Sequence, residues 1–210
     1  MQRVHSGGPR RLLVQARSFL RLPAAVRSFY IRALWIAVSR HDGYSLEIVT
    51  RPDDLRSVLH LATGARQVVE LGTGTGWTTA ALVLDDPRRC VMSFDPAVHA
   101  HRERYLALLP AKVRERIELV QAHGRVGPRP GQQVDFVFVD ASHEFEDTIE
   151  HFRRWREAIT PGGTIAFHDY DDPNNPGVTQ AIQALGLPGT QVGRVFVWKS
   201  PRTPKATPTP

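Results

Sequence analysis

Two groups of residues in this chain have the types and spacing to do chemistry. The first is Glu70-Leu71-Gly72-Thr73-Gly74-Thr75-Gly76, an acid followed by three glycines at alternate positions. Such glycines let the backbone turn tightly and come close to a ligand. A helix that follows presents its free N-terminal amides to that ligand. Asp95 lies about 20 residues beyond Gly76, the spacing at which a carboxylate can accept from both hydroxyls of a ribose. The second group is Asp140, His143, His168 and Asp169. A histidine titrates near neutrality and suits proton transfer, so His143 is the leading general base. The plainer reading of His143 is a helix-start residue bonded to backbone, and that of His168 is a packed histidine behind the site.

These residues need elements to hold them. The pattern predicts strands over 67–71, 90–94, 117–121, 134–139 and 164–167, with a terminal hairpin over 191–198 turning near Gly193. Helices are predicted over 77–84, 97–109, 144–159 and 178–185. Upstream, helices are expected over 12–20 and 24–38, with another opened by Pro52-Asp53-Asp54. Strands such as Val134–Val139 are almost uninterruptedly apolar, so both sheet faces must be covered. The fold class is therefore α/β, a doubly wound, mainly parallel seven-stranded sheet with N-terminal helices. Ligands of such sheets bind outside the carboxyl ends of the strands. That geometry should bring Asp140, His143, His168 and Asp169 together.

Dinucleotide enzymes use the same loop position with Gly-x-Gly-x-x-Gly. Here Trp77 and Thr79 stand where the third glycine would fall. The loop instead resembles the first motif of class I S-adenosylmethionine-dependent methyltransferases. Phe138-Val139-Asp140-Ala141-Ser142-His143 and Pro161-Gly162-Gly163-Thr164-Ile165-Ala166-Phe167-His168-Asp169-Tyr170 resemble small O-methyltransferases of the macrolide-sugar type and, more distantly, the catechol type. The resemblance covers roughly 44–199 and implies S-adenosylmethionine as cofactor and a small-molecule hydroxyl as methyl acceptor. It places Glu70, Gly72, Thr73, Gly74, Gly76 and Asp95 at the cofactor, with Glu70 near its ammonium end. It places Asp140 near the sulfonium, and His123 or Gln121 near adenine. Some relatives bind Mg²⁺ with acids after the fourth and fifth strands. Asp140 and Asp169 match that pattern, but His168 and Tyr170 stand beside Asp169 where an acid or amide is expected. Asp171, Asp172 or Asn174 would then have to complete the metal site. Two rival readings remain: an NAD-dependent oxidoreductase on a similar sheet, and a non-catalytic, membrane-associated cofactor-binding protein.

Composition bounds the rest. The single cysteine, Cys90, rules out an intramolecular disulfide and reads as an inert residue opening a buried strand. The net charge of +6 is unevenly spread: residues 1–41 hold eight arginines and no acid. The body between the basic ends is mildly acidic, which argues against a nucleic-acid partner. No apolar run is long enough to span a membrane, so a cytoplasmic location is expected. Peripheral membrane contact through the basic N-terminus is the alternative. Residues 1–10 and the Pro/Thr-rich 200–210 are expected to be disordered, with basic helices over 11–43 and the catalytic domain over 44–199.

Overall fold

The computed structural model describes residues 9–202. Four helices come first: α1 Pro9–Leu20, α2 Ala24–Ser39, α3 Gly43–Ile48 and α4 Pro52–Leu61. The sheet region then runs β1 Gln67–Leu71, α5 Trp77–Asp85, β2 Cys90–Phe94, α6 Arg102–Leu106, α7 Ala111–Arg114 and β3 Ile117–Val120. It continues with β4 Val134–Val139, α8 Phe145–Trp155, β5 Ile159–Phe167, α9 Pro176–Ala184, β6 Thr190–Val192 and β7 Val195–Lys199. The strands form one sheet in the order β3-β2-β1-β4-β5-β7-β6. The first five are parallel, and β7 joins β5 antiparallel. Chain order reverses between β1 and β4, which opens a ligand crevice at their carboxyl ends.

The strand composition explains the layering. In β4, Phe136 and Phe138 point to the side covered by α2, α4 and α5, while Val137 and Val139 point to the side of α8 and α9. Both faces are dry, so strict apolar/polar alternation is absent. Helix α2 turns Val26, Phe29, Tyr30, Ala33 and Ala37 inward, all buried.

Several expectations need correction. Helix α1 begins at Pro9, inside the segment expected to be disordered; residues 1–8 and 203–210 lie outside the described residues. Ser200, expected in the tail, still exchanges backbone bonds with Gly162 and Gly163. The helix expected over 97–109 shrinks to α6, because Asp95 binds the Ala97 amide and Arg102 binds the Ala97 carbonyl, holding the intervening chain in turns. Helix α8 ends at Trp155, because Ile159 is already paired with Val134 in β5. Cys90 is exposed, not buried, since it occupies the open lower end of β2.

Helix α3 had no expected counterpart. Asp42 creates it by accepting from the Ser45 amide at 3.1 Å and the Ser45 hydroxyl at 2.8 Å, the N-cap arrangement. His101 and Tyr105 reach the same carboxylate, each at 2.6 Å. Burial opposes its charge, but the Tyr105, His101 and Ser45 bonds outweigh it and hold Asp42 well below the usual carboxylate range.

Candidate functional site

A cavity of about 730 Å³ opens at the carboxyl ends of β1, β2, β4 and β5. Its volume suits a nucleotide-sized ligand with room beside it. One end is built from the glycine loop. Gly72 has φ +103°, and a Cβ there would run into the Asp140 carbonyl of the neighbouring strand end. Only glycine fits where β1 and β4 part. Gly72, Thr73 and Gly74 line the cavity; Gly76 does not. Its φ of +81° starts α5, and the space beside it is filled by Leu106. Gly76 therefore shapes the turn from behind.

Glu70 departs further from expectation. It is 1% exposed and lies beneath the loop, not in the cavity wall. Its Oε2 accepts from the Ser93 hydroxyl at 2.6 Å and from the Thr79 hydroxyl. Its Oε1 has no partner among the described residues. Burial pushes its carboxyl up to about 8, against the pull of those hydroxyls. Its direct action is to brace β1 against β2 and α5.

Asp95 lines the cavity as expected. Its Oδ2 accepts from the Gly74 amide at 2.8 Å and from Arg102 at 3.0 Å. The carboxylate thus pins the glycine loop as well as facing the cavity; Oδ2 is filled by these two donors, and Oδ1, which takes the Ala97 amide, keeps a lone pair for a ligand hydroxyl. His123 also lines the cavity, whereas Gln121 does not. Its Nδ1 accepts from the Arg125 amide, and its ring stacks at 5.3 Å on buried His151. Burial pushes His151 down to about 4, so that stack is neutral on the buried side. Trp77 borders the cavity while packed edge-on against Tyr30 and Tyr105.

The other end is built from charged side chains. Asp140, His143, His168 and Asp169 converge as the topology requires. His143 Nε2 lies 2.8 Å from Asp169 Oδ2. The bond to Asp169 raises the imidazole above its ordinary value, although partial burial opposes this. Asp169 is fixed in turn by Arg194 and by the Asn175 amide at 3.1 Å. Burial disfavours its charge, yet His143, His168 and Arg194 hold it well below the usual carboxylate range. Its backbone has φ +55°, strain of a kind that accumulates at functional sites.

His168, read as a packed histidine behind the site, is 9% exposed yet borders the cavity, and it is an electrostatic hub. Its Nδ1 is 2.8 Å from Asp140 and its Nε2 3.4 Å from Asp54. Burial opposes its charge, but Asp140, Asp54 and Asp169 outweigh it and push the ring up to about 10. Asp54 reads in the sequence only as a first-turn acid of α4. Arg194 sits in a hairpin turn with no motif around it, and α3 brings Tyr44, Glu47 and Ile48 to the cavity mouth.

Asp140, His143 and Asp169 offer ligand atoms within 4.8 Å of one another. This set does not fit Mg²⁺, which wants oxygen donors in octahedral geometry. One donor is an imidazole, and both carboxylates already bear cationic partners in His168 and Arg194. None of Asp171, Asp172 and Asn174, expected to complete a metal site, lines the cavity; Asp172 pairs with Arg194, and Asn174 binds Asp172 at 3.1 Å.

A family model described as a methyltransferase domain matches residues 69–170. Among solved structures, TomG, an O-methyltransferase of Streptomyces achromogenes involved in tomaymycin synthesis and solved with SAM, superposes with a TM-score of 0.60 at 20% identity. The match covers 80% of this chain and 90% of that one. Cofactor-bound Rv0187 from MTB gives 0.60 at 20% identity over 95% and 93% of the two chains. CalS11, a TDP-rhamnose 3'-O-methyltransferase of calicheamicin biosynthesis, gives 0.56 at 17% identity over 91% and 94%. No curated protein matches the chain. Residues 69–170 thus match a methyltransferase-domain model, and the chain has the fold of the class I methyltransferases; the oxidoreductase reading gains no support.

Proposed function

We propose that this chain is a methyltransferase that moves a methyl group from S-adenosylmethionine to a hydroxyl oxygen of a small molecule. The observation that carries the reading is His143, held by Asp169 on the rim of the cavity that the glycine loop enters. Bound there, S-adenosylmethionine would supply an electrophilic methyl group to the acceptor oxygen, with S-adenosylhomocysteine as the leaving product. Gly72, Thr73 and Gly74 let the backbone approach the cofactor, and Asp95 meets the ribose hydroxyls. His123 stands at the adenine end. Asp140, neutralised by His168, closes the site near the sulfonium without adding a free negative charge. Asp169 engages Nε2 of His143, which leaves Nδ1 to take the acceptor's proton. Tyr44 and Ile48 of α3 cover the cofactor end, Tyr44 stacked on His99 beside Asp95 and Ile48 against Gly74, and the 169–175 loop bounds the acceptor's space. Positioning of the two reactants does most of the work in such a transfer. The chain's own cations on Asp140 and Asp169 support a reaction that needs no Mg²⁺.

The test is calorimetry with S-adenosylmethionine, S-adenosylhomocysteine and NAD, followed by an acceptor screen that detects S-adenosylhomocysteine. Both adenosyl ligands should bind and NAD should not. Binding of NAD alone would sink the reading. Turnover only with amine acceptors would retain the cofactor and remove the hydroxyl.

A further inference from the structure

Helix α2 is apolar on two sides. Its inner face is buried in the core. Its outer face shows Ile31, Leu34, Trp35 and Val38, all exposed, with Trp35 at 72%. The spacing i, i+3, i+4, i+7 places them on one stripe. A helix apolar all round belongs inside a protein or against lipid, and nothing among the described residues covers this stripe. Exposed Leu20, at the end of α1, lies beside it, because the Arg27 guanidinium donates to the Leu20 carbonyl.

Charge selects the occupant. The first 41 residues contain eight arginines and no acid. Arg27 and Arg32 flank the stripe on α2, while Arg17, Arg21 and Arg40 are exposed nearby in the chain. A second copy docking by the same face would bring like charges together. The four apolar side chains expose roughly 400 Å² together, about half of what each partner contributes to a standard protein interface. An anionic bilayer offers both missing partners. Its headgroup–acyl boundary takes the apolar stripe, and its phosphates take the guanidinium groups. No helix of the described residues is long and apolar enough to cross a membrane, so α2 would lie in the interface plane.

We propose that the outer face of α2 docks the protein onto anionic phospholipid membranes, with Trp35 as the central anchor. The full-length protein is mixed with vesicles of phosphatidylcholine alone, or with about one third phosphatidylglycerol. Binding is read by cosedimentation and by tryptophan emission, with the oligomeric state followed by ultracentrifugation. The anionic vesicles should bind the protein and shift its emission to the blue, and salt should weaken the binding. Trp35→Glu should weaken it at least about tenfold with unchanged thermal unfolding, since the side chain touches water. Trp35→Phe should keep the binding and lose the emission shift. Failure to bind any vesicle, equal binding to both compositions, or undiminished binding by Trp35→Glu would each overturn the proposal. A dimer that Trp35→Glu dissociates, without vesicle binding, would assign the face to a second copy.

Discussion

The two ends of the cavity are made of different material. At the glycine end the working surface is backbone, and side chains such as Glu70, Ser93 and Thr79 brace it from behind. At the other end Asp140, His143 and Asp169 form the surface themselves, and His168 and Arg194 balance their charge. A backbone surface tolerates no added atom. A charged surface tolerates changes of shape but not the loss of a partner. Substitutions should therefore fail in different ways at the two ends.

The largest effect is expected from Gly72→Ala. The new Cβ meets the Asp140 carbonyl at a positive φ. S-adenosylhomocysteine binding should vanish in calorimetry, and the melting temperature should fall with a loss of roughly 3 kcal/mol. Retained binding would break the claim that this end is backbone-limited. Next, His143→Ala should lower turnover about 100-fold or more while adenosyl-ligand affinity stays within about twofold. A matching loss of affinity would mean that the two ends are not separable.

Asp169→Asn sharpens the comparison through pH. Catalysis on this reading needs neutral His143, whose folded value is raised by Asp169. The rate in the native protein should therefore climb with pH through a midpoint above 6.5, the ordinary histidine value. In the variant the midpoint should move down, with turnover reduced about tenfold at alkaline pH. A profile that does not move would remove Asp169 as the positioning residue. EDTA should leave turnover unchanged, since His168 and Arg194 already occupy the carboxylates; metal-dependent recovery would contradict that charge balance.

A further effect concerns stability. His168 is raised to about 10 and Glu70 to about 8. Groups raised on folding favour the fold below their unfolded values and lose that contribution as pH climbs through the folded ones. Between about pH 4.5 and 6.5 the loss through Glu70 is offset by His151, lowered to about 4; from about 6.5 the melting temperature should decline through Glu70 and His168 together, and on toward 10 through His168. His168→Gln should flatten the upper part of that decline. A melting temperature that rises over this range would contradict both shifts.

The same contrast governs what the sequence reveals. The glycine end is spelled by neighbours: Gly72 and Gly74 report tight backbone geometry by residue type alone, and Asp95 follows at a fixed strand-to-strand spacing. The general position of β1, β2 and β4 was legible for the same reason, since continuous apolar runs have one comfortable place in a parallel sheet. The charged end draws on α4, β4, β5 and the β6–β7 turn. Asp54 is masked by a sufficient local explanation, the acid in a helix's first turn, and Arg194 by its place in a polar turn. Glu70 misled because the sequence shows where an acid stands but not which side of a strand end it faces. Gly76 misled likewise, serving the turn from outside the cavity.

The inward face of α2 has a consequence for any shortened version of the chain. The Tyr30 hydroxyl donates to the Thr50 carbonyl at 3.2 Å, and its ring meets Trp77 edge-on at 5.4 Å. Trp77 opens α5, directly behind the glycine loop. A polypeptide started at residue 44 would strip the backing from that tryptophan, and the loop would lose its support although every one of its own residues remained. Truncation would thus mimic an active-site lesion from a segment whose described side chains line none of the cavity.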